Sequence, residues 1–228
     1  MQRTRHWGMY VDVLLLAGLL AGGFAGAAEV TLPITIDPLK PEHRELVQPQ
    51  FGSFFYPGPD PYGNVVFIMG QEMATFPEDS YELRYVLFDI GELREFSLEF
   101  ASMGWVGGSG NPSHFVVFGW QDYKNFYYSY PAESVATRVG RVVDGKHQTL
   151  FQLNEIIWFR DREKYQTVRV EVKEVDGRMV VDTFVNDELR MTYTYAEGEE
   201  PPAGKVGIAM WNNSAHNAYI KDITIKAL

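Results

Sequence analysis

Period-two alternation, interrupted repeatedly by turn dipeptides, is the feature that most limits what this chain can become. Tyr81, Leu83, Tyr85 and Leu87 alternate with Glu82, Arg84 and Val86. Phe96, Leu98 and Phe100 alternate with Ser97, Glu99 and Ala101, and Val168, Val170 and Val172 with Thr167, Arg169, Glu171 and Lys173. Such alternation gives a strand one apolar face. Asp144-Gly145 and Asp176-Gly177 suit two-residue type I′ hairpins, whose central positions both need positive φ. Asn186-Asp187 is a weaker member of the same class. Glu155 to Tyr165 is the one stretch with a helical look, and Trp158-Phe159 argue against it. Many short strands with almost no helix predict an all-β chain folded as an antiparallel jelly-roll β-sandwich.

The centre of the pattern is Ser113 to Gly145. It reads as strand, polar corner (Trp120-Gln121-Asp122), strand from Asn125 through Tyr127, Tyr128 and Tyr130, loop, strand and tight turn. On the second strand Tyr127 and Ser129 face one way, and Phe126, Tyr128 and Tyr130 the other. One face packs and the other lines a groove; alternation alone does not say which. The stretch Gly104 to Pro112 is a loop. It has neither the lysine nor the helical pattern that a phosphate-cradling loop needs.

The ends of the chain bear on compartment. Arg3, Arg5 and His6 precede a mostly apolar run from Val11 to Ala25, and Ala25-Gly26-Ala27 forms a small-residue cleavage motif before Ala28. Residues 1–27 therefore read as a secretory signal peptide. Gly22, Gly23 and Gly26 dilute the run below what a spanning helix needs, and no later segment is apolar enough to span. The expected protein is exported, periplasmic or extracellular, with no integral membrane span after cleavage. Removing the leader leaves roughly 200 residues, enough for one domain with a substantial core. Residues 28–63 form a segment rich in proline (Pro33, Pro38, Pro41, Pro49, Pro57, Pro59, Pro61), which cannot be regular sheet or helix throughout. Phe51, Phe54, Phe55 and Tyr56 favour its wrapping on the sandwich over a disordered lead-in. Residues 64–228 are expected to form the sandwich domain. The net charge of −10 argues against nucleic acid and anionic membrane surfaces as partners. The chain has no cysteine, so no disulfide supports it.

The residues exclude several chemistries. Retaining glucanases on sandwich folds carry Glu-x-Asp-x-x-Glu on one strand, so that two carboxyl groups flank the scissile bond. Only Glu174-Val175-Asp176 begins that pattern, and it runs into Gly177. His43, His114, His147 and His216 are scattered, which does not suit zinc. Calcium needs only oxygens from several loops, and Asp222 is the residue placed to contribute one. No Gly-x-Ser-x-Gly elbow is present. What the chain does offer is tryptophan beside amides and carboxylates. Gln121-Asp122 come directly after Trp120, with Asn125 close by, and Asn212-Asn213 directly after Trp211. Aromatic faces accept the C–H side of a sugar ring while amides and carboxylates take its hydroxyls; Trp105 and Trp158 read as core, and Trp120 and Trp211 suit core and ligand equally.

Several segments together resemble a known superfamily: F-G-W-Q-D-Y-K-N-F-Y-Y-S-Y, V-V-D-G-K-H-Q-T-L, Y-Q-T-V-R-V-E-V with D-G-R-M-V-V-D-T-F-V-N-D-E-L, G-K-V-G-I-A-M-W and Y-I-K-D-I-T-I. From about Tyr81 to the C-terminus the chain is similar to the concanavalin A-like lectin/glucanase superfamily, in particular its laminin-G-like and 3-keto-disaccharide hydrolase-type secreted domains. The resemblance implies two curved antiparallel sheets with ligands on the concave face or its rim loops. Asp122 and Asn125 match the family's polar corner and Asn186 its hairpin turn, positions that often serve the turn itself. The glucanase triad is missing, and Phe115 to Trp120 lacks the arginine of the hydrolase-type strand. The expectation is an exported carbohydrate-binding, lectin-like domain whose partner is a glycan or glycoconjugate. Its ligand residues are drawn from Trp120, Asp122, Asn125, Tyr127, Trp211 and Asn212. No cofactor is required, calcium being the one ion left open. Two alternatives stand beside it: a glycoside hydrolase-type enzyme using Asp122, Glu99 or Glu72 as acid or base, and a structural or adhesive module.

Overall fold

A computed structural model describes residues 30–50, 53–71, 83–104, 114–131, 137–153, 164–211 and 218–228. In chain order its elements are β1 (Ile34–Ile36), α1 (Pro41–Glu45), β2 (Val47–Pro49), β3 (Ser53–Pro59), β4 (Val65–Gln71), β5 (Leu83–Leu93), β6 (Phe96–Gly104), β7 (His114–Asp122), β8 (Asn125–Tyr130), β9 (Thr137–Val143), β10 (Lys146–Leu153), β11 (Gln166–Val175), β12 (Arg178–Val185), β13 (Glu188–Thr194), β14 (Gly204–Trp211) and β15 (Ala218–Ala227). The strands form two antiparallel sheets, as the alternation predicts. One runs β13-β12-β11-β6-β15-β4-β3, with β1 also paired to β15; the other runs β10-β9-β8-β7-β14-β5-β2.

The three dipeptide turns form as their residue types predict. Asp144-Gly145 (φ 50° and 77°), Asp176-Gly177 (51° and 76°) and Asn186-Asp187 (51° and 62°) close the β9–β10, β11–β12 and β12–β13 hairpins with positive φ at both positions. The proline-rich stretch contributes β1, β2 and β3, which pair with β15, β5 and β4. The sheets thus draw on residues before 64. β1 pairs with β15 alone and is an edge, which suits Pro33 just before it. Glu155 to Tyr165 lies outside the described residues except for its last two positions.

Two apolar layers result. The main core fills the space between the sheets with Phe88, Val116, Phe118 and Ile208 from one side and Phe67, Leu98, Phe100, Val170 and Ile225 from the other. Two polar contacts cross it: Ser129 Oγ with Thr183 Oγ1 at 2.7 Å, and Ser102 Oγ with His114 Nδ1 at 3.0 Å. Buried hydroxyls and imidazoles need such partners. The second layer comprises Leu83, Tyr85, Leu87, Phe115, Val117, Phe126, Tyr128, Tyr130, Val142 and Ala209. All of these lie on the seven-stranded sheet, on the face turned away from the core, since strand neighbours point to opposite faces.

Candidate functional site: the outer face of the seven-stranded sheet

Alternation settles which tyrosines face which way. Tyr127 points into the core, stacked on Phe118 with ring centroids 6.2 Å apart and edge-on to Tyr195 at 5.9 Å. Phe126, Tyr128 and Tyr130 point outward. There Phe115 stacks on Tyr130 at 4.1 Å, Tyr128 meets Phe115 edge-on at 5.3 Å, and Tyr85 lies 5.7 Å from Phe126. The centre of this face is closed to solvent: Tyr85, Phe115, Phe126, Tyr128 and Tyr130 are buried. Half-buried or exposed side chains lie at its margins, at Trp120, Arg138, His147, Thr149 and Gln152.

Trp120 reaches this face through a bulge. Phe115 and Val117 face outward, so strict alternation would turn Trp120 inward with Val116 and Phe118. Gly119 adopts φ 55°, and the register shifts so that Trp120 pairs with Lys205 where Val117 pairs with Gly207. An added residue in one strand turns the residues beyond it onto the opposite face. The backbones are tight here: a Cβ on Gly204 would sit 2.6 Å from Trp120 N. The indole packs against the outer layer and donates from Nε1 to the Tyr85 hydroxyl at 3.1 Å. Burial pushes the Tyr85 hydroxyl pKa upward, with the nearby Asp122 adding to the effect, so it stays protonated and polar.

At the other margin, Gly140 makes room for Tyr128. A Cβ on Gly140 would lie 2.4 Å from Tyr128 Cζ, so only glycine lets the ring cross β9. The Tyr128 hydroxyl thereby reaches His147 Nε2 on β10 and is hydrogen-bonded to it. Burial, and then the charge of Arg138, hold the His147 pKa below the usual histidine value, keeping the ring neutral at pH 7. Arg138 pairs with Tyr130 on one side and Gln152 on the other, and paired residues share a face.

Asp122 and Asn125 serve the corner. Asp122 Oδ1 accepts from Lys124 N at 2.7 Å and from Asn125 Nδ2 at 3.0 Å. Asn125 Oδ1 accepts from Asp144 N at 3.1 Å, which ties the β7–β8 hairpin to the β9–β10 turn. Trp211 ends β14 opposite Leu83, and Asn212 and Glu72 lie outside the described residues. Glu99 is on the other sheet, paired through Arg169 Nε at 3.3 Å, so Glu99 and Asp122 do not converge. Asp222 sits at a bulge of β15 with φ 54°, exposed, 3.8 Å from Lys221 Nζ. It borders a depression of about 340 Å³ where β15 changes partner from β4 to β1. Among the described residues, no group of three or more histidine or acidic side chains could hold a metal. Arg138 and the Tyr128–His147 pair were not singled out by sequence reasoning; a lone glycine inside the alternating strand Thr137 to Val143 is the signal that marked them.

Neither a scan against protein-family models nor a search of curated proteins finds a match. Solved structures do. The carbohydrate-binding module CBM66 from Bacillus subtilis aligns at TM-score 0.52 and 16% identity, over 78% of this chain and 96% of that one. A Bacillus subtilis protein of unknown function with a galectin-like fold aligns at 0.57 and 7% identity, over 85% and 94%. The alginate lyase vAL-1 from a Chlorella virus aligns at 0.52 and 10% identity, over 86% and 99%. The chain therefore has the antiparallel jelly-roll sandwich fold that these structures share. At these identities the likeness is one of fold.

Proposed function

We propose that this is an exported carbohydrate-binding domain, lectin-like and without the glucanase triad, which takes a glycan or glycoconjugate along the outer face of the seven-stranded sheet. The observation that carries the reading is the second aromatic layer on that face, with polar tips at both margins. Trp120 stands half-buried over the Tyr85 hydroxyl at one end, and Tyr128, His147 and Arg138 lie at the other. Tyrosine and tryptophan present an apolar body and a polar tip together, which is what a sugar ring offers in return. From Trp120 to Arg138 the face spans roughly 20 Å by strand rise and spacing, long enough for several sugar rings in line. Because the central rings are buried, contact is made at the margins, and Trp120 is the first ligand residue. The leader read in residues 1–27 supports export, and among the described residues no helix is long and apolar enough to cross a membrane. The carbohydrate-binding module CBM66 among the fold neighbours supports the ligand class.

The test is binding of purified protein to a panel of oligosaccharides by calorimetry, beside Trp120→Ala. An anchoring aromatic removed from a binding face weakens affinity by about tenfold or more. Circular dichroism should show the variant folded. Absence of binding to every saccharide, or full binding by Trp120→Ala, contradicts the reading.

A further inference from the structure

Arg138 is half-buried beside Tyr130 on the outer aromatic face. It has no ion-pair partner among the described residues, and its Nε is buried without a hydrogen-bond acceptor. Three other charged groups of the seven-stranded sheet are matched. Lys205 Nζ contacts Asp89 at 3.2 Å and Gln48 Oε1 at 3.0 Å, Arg141 lies 3.7 Å from Glu199, and Asp122 is held in its turn. A guanidinium drawn partly out of water with no counter-charge is unfavourable, and such groups are ordinarily paired. Its field is felt locally, because it helps keep His147 neutral. The chain as a whole carries a net charge of −10, so a cation unpaired among the described residues contrasts with its surroundings. A guanidinium is a planar fork that matches the two oxygens of a carboxylate. Beside it, the exposed Thr149 and Gln152 side chains are suited to sugar hydroxyls rather than to a second anion.

We infer that the face selects saccharides bearing a carboxylate, uronate sugars, with Arg138 as the residue that reads the acid group. This rests on the saccharide-binding reading above and names the class of sugar for the same face. The partner is thus an acidic polysaccharide, met through one charged contact at the β9 margin and stacking at the Trp120 margin.

The experiment titrates the full chain with trimers of galacturonate and of mannuronate, a neutral trisaccharide of the same length, and a sulfated oligosaccharide. Wild type is expected to bind at least one uronate trimer about tenfold or more tighter than the neutral one, with the advantage shrinking as salt is added. Arg138→Met, which keeps the apolar stem, removes the preference; Arg138→Lys, which keeps the charge but not the fork, retains part of it. Circular dichroism confirms that both variants are folded. A wild type without preference, a preference that survives in Arg138→Met, or tighter binding of the sulfated probe overturns the inference. Any of these, seen with Trp120-dependent binding of neutral sugar, leaves the saccharide reading standing. Absence of binding to every probe defeats both.

Discussion

Gly140 lies directly beneath the ring of Tyr128: a Cβ at that position would meet Cζ and the hydroxyl oxygen at 2.4 Å. The contact fixes where the hydroxyl goes, and through it the place of His147. Gly140→Ala should push the ring off β9. Overpacking of this kind costs about 1–3 kcal/mol, read as a lowered midpoint in urea. An unchanged midpoint would mean that Tyr128 does not lie across this strand.

Ser129 and Thr183 join the two sheets through buried hydroxyls 2.7 Å apart. Ser129→Ala leaves the Thr183 hydroxyl without its partner, at about 1–3 kcal/mol. Adding Thr183→Val removes the orphan, so the double variant should recover part of the loss. A double-mutant cycle measures this coupling; simple additivity would show that the hydroxyls do not meet.

His114 is fully buried, bonded to Ser102 and edge-on to Phe100. Burial pulls its pKa down from 6.5 to about 3. Above pH 6.5 both folded and unfolded chains carry a neutral ring, so its contribution is fully present. As pH falls below 6.5 the unfolded chain takes up a proton that the folded one refuses. Stability then drops, by at most about 1.4 kcal/mol per pH unit, until the folded ring titrates near pH 3. Stability of wild type against His114→Gln across pH 7 to 4 isolates this slope. Parallel curves would contradict it.

Asn125 links two hairpins, giving Nδ2 to Asp122 and receiving Asp144 N at Oδ1. Asn125→Ala should cost about 1–2 kcal/mol. Hydrogen exchange should quicken at the amides of Lys124 and Asp144, at the corner. Unaltered exchange there would argue against the linkage.

Much of the fold was legible because alternation and turn chemistry act locally. Asp144-Gly145 and Asp176-Gly177 specify positive φ whatever surrounds them, and the structure has it at both. Tyr127 and Tyr128 fell on opposite faces as spacing required, but which face was core depended on the partner sheet. Trp120 shows where local reading ends. Counting by twos puts it inside with Phe118, and the bulge at Gly119, bound up with the close approach of Gly204, turns it out. Arg138 escaped notice for a related reason. An arginine in an alternating strand looks like a solvated residue until its neighbours from β8 and β10 are in place.

The most direct measurement tracks the indole N–H resonances of ¹⁵N-labelled protein during titration with a saccharide it binds, with the Trp120 signal identified by its loss in Trp120→Phe. The Trp120 proton, donated to Tyr85 in the free protein, should shift progressively and saturably as sugar is added. Binding that leaves that resonance still, while signals elsewhere move, would place the ligand off this face and contradict the account.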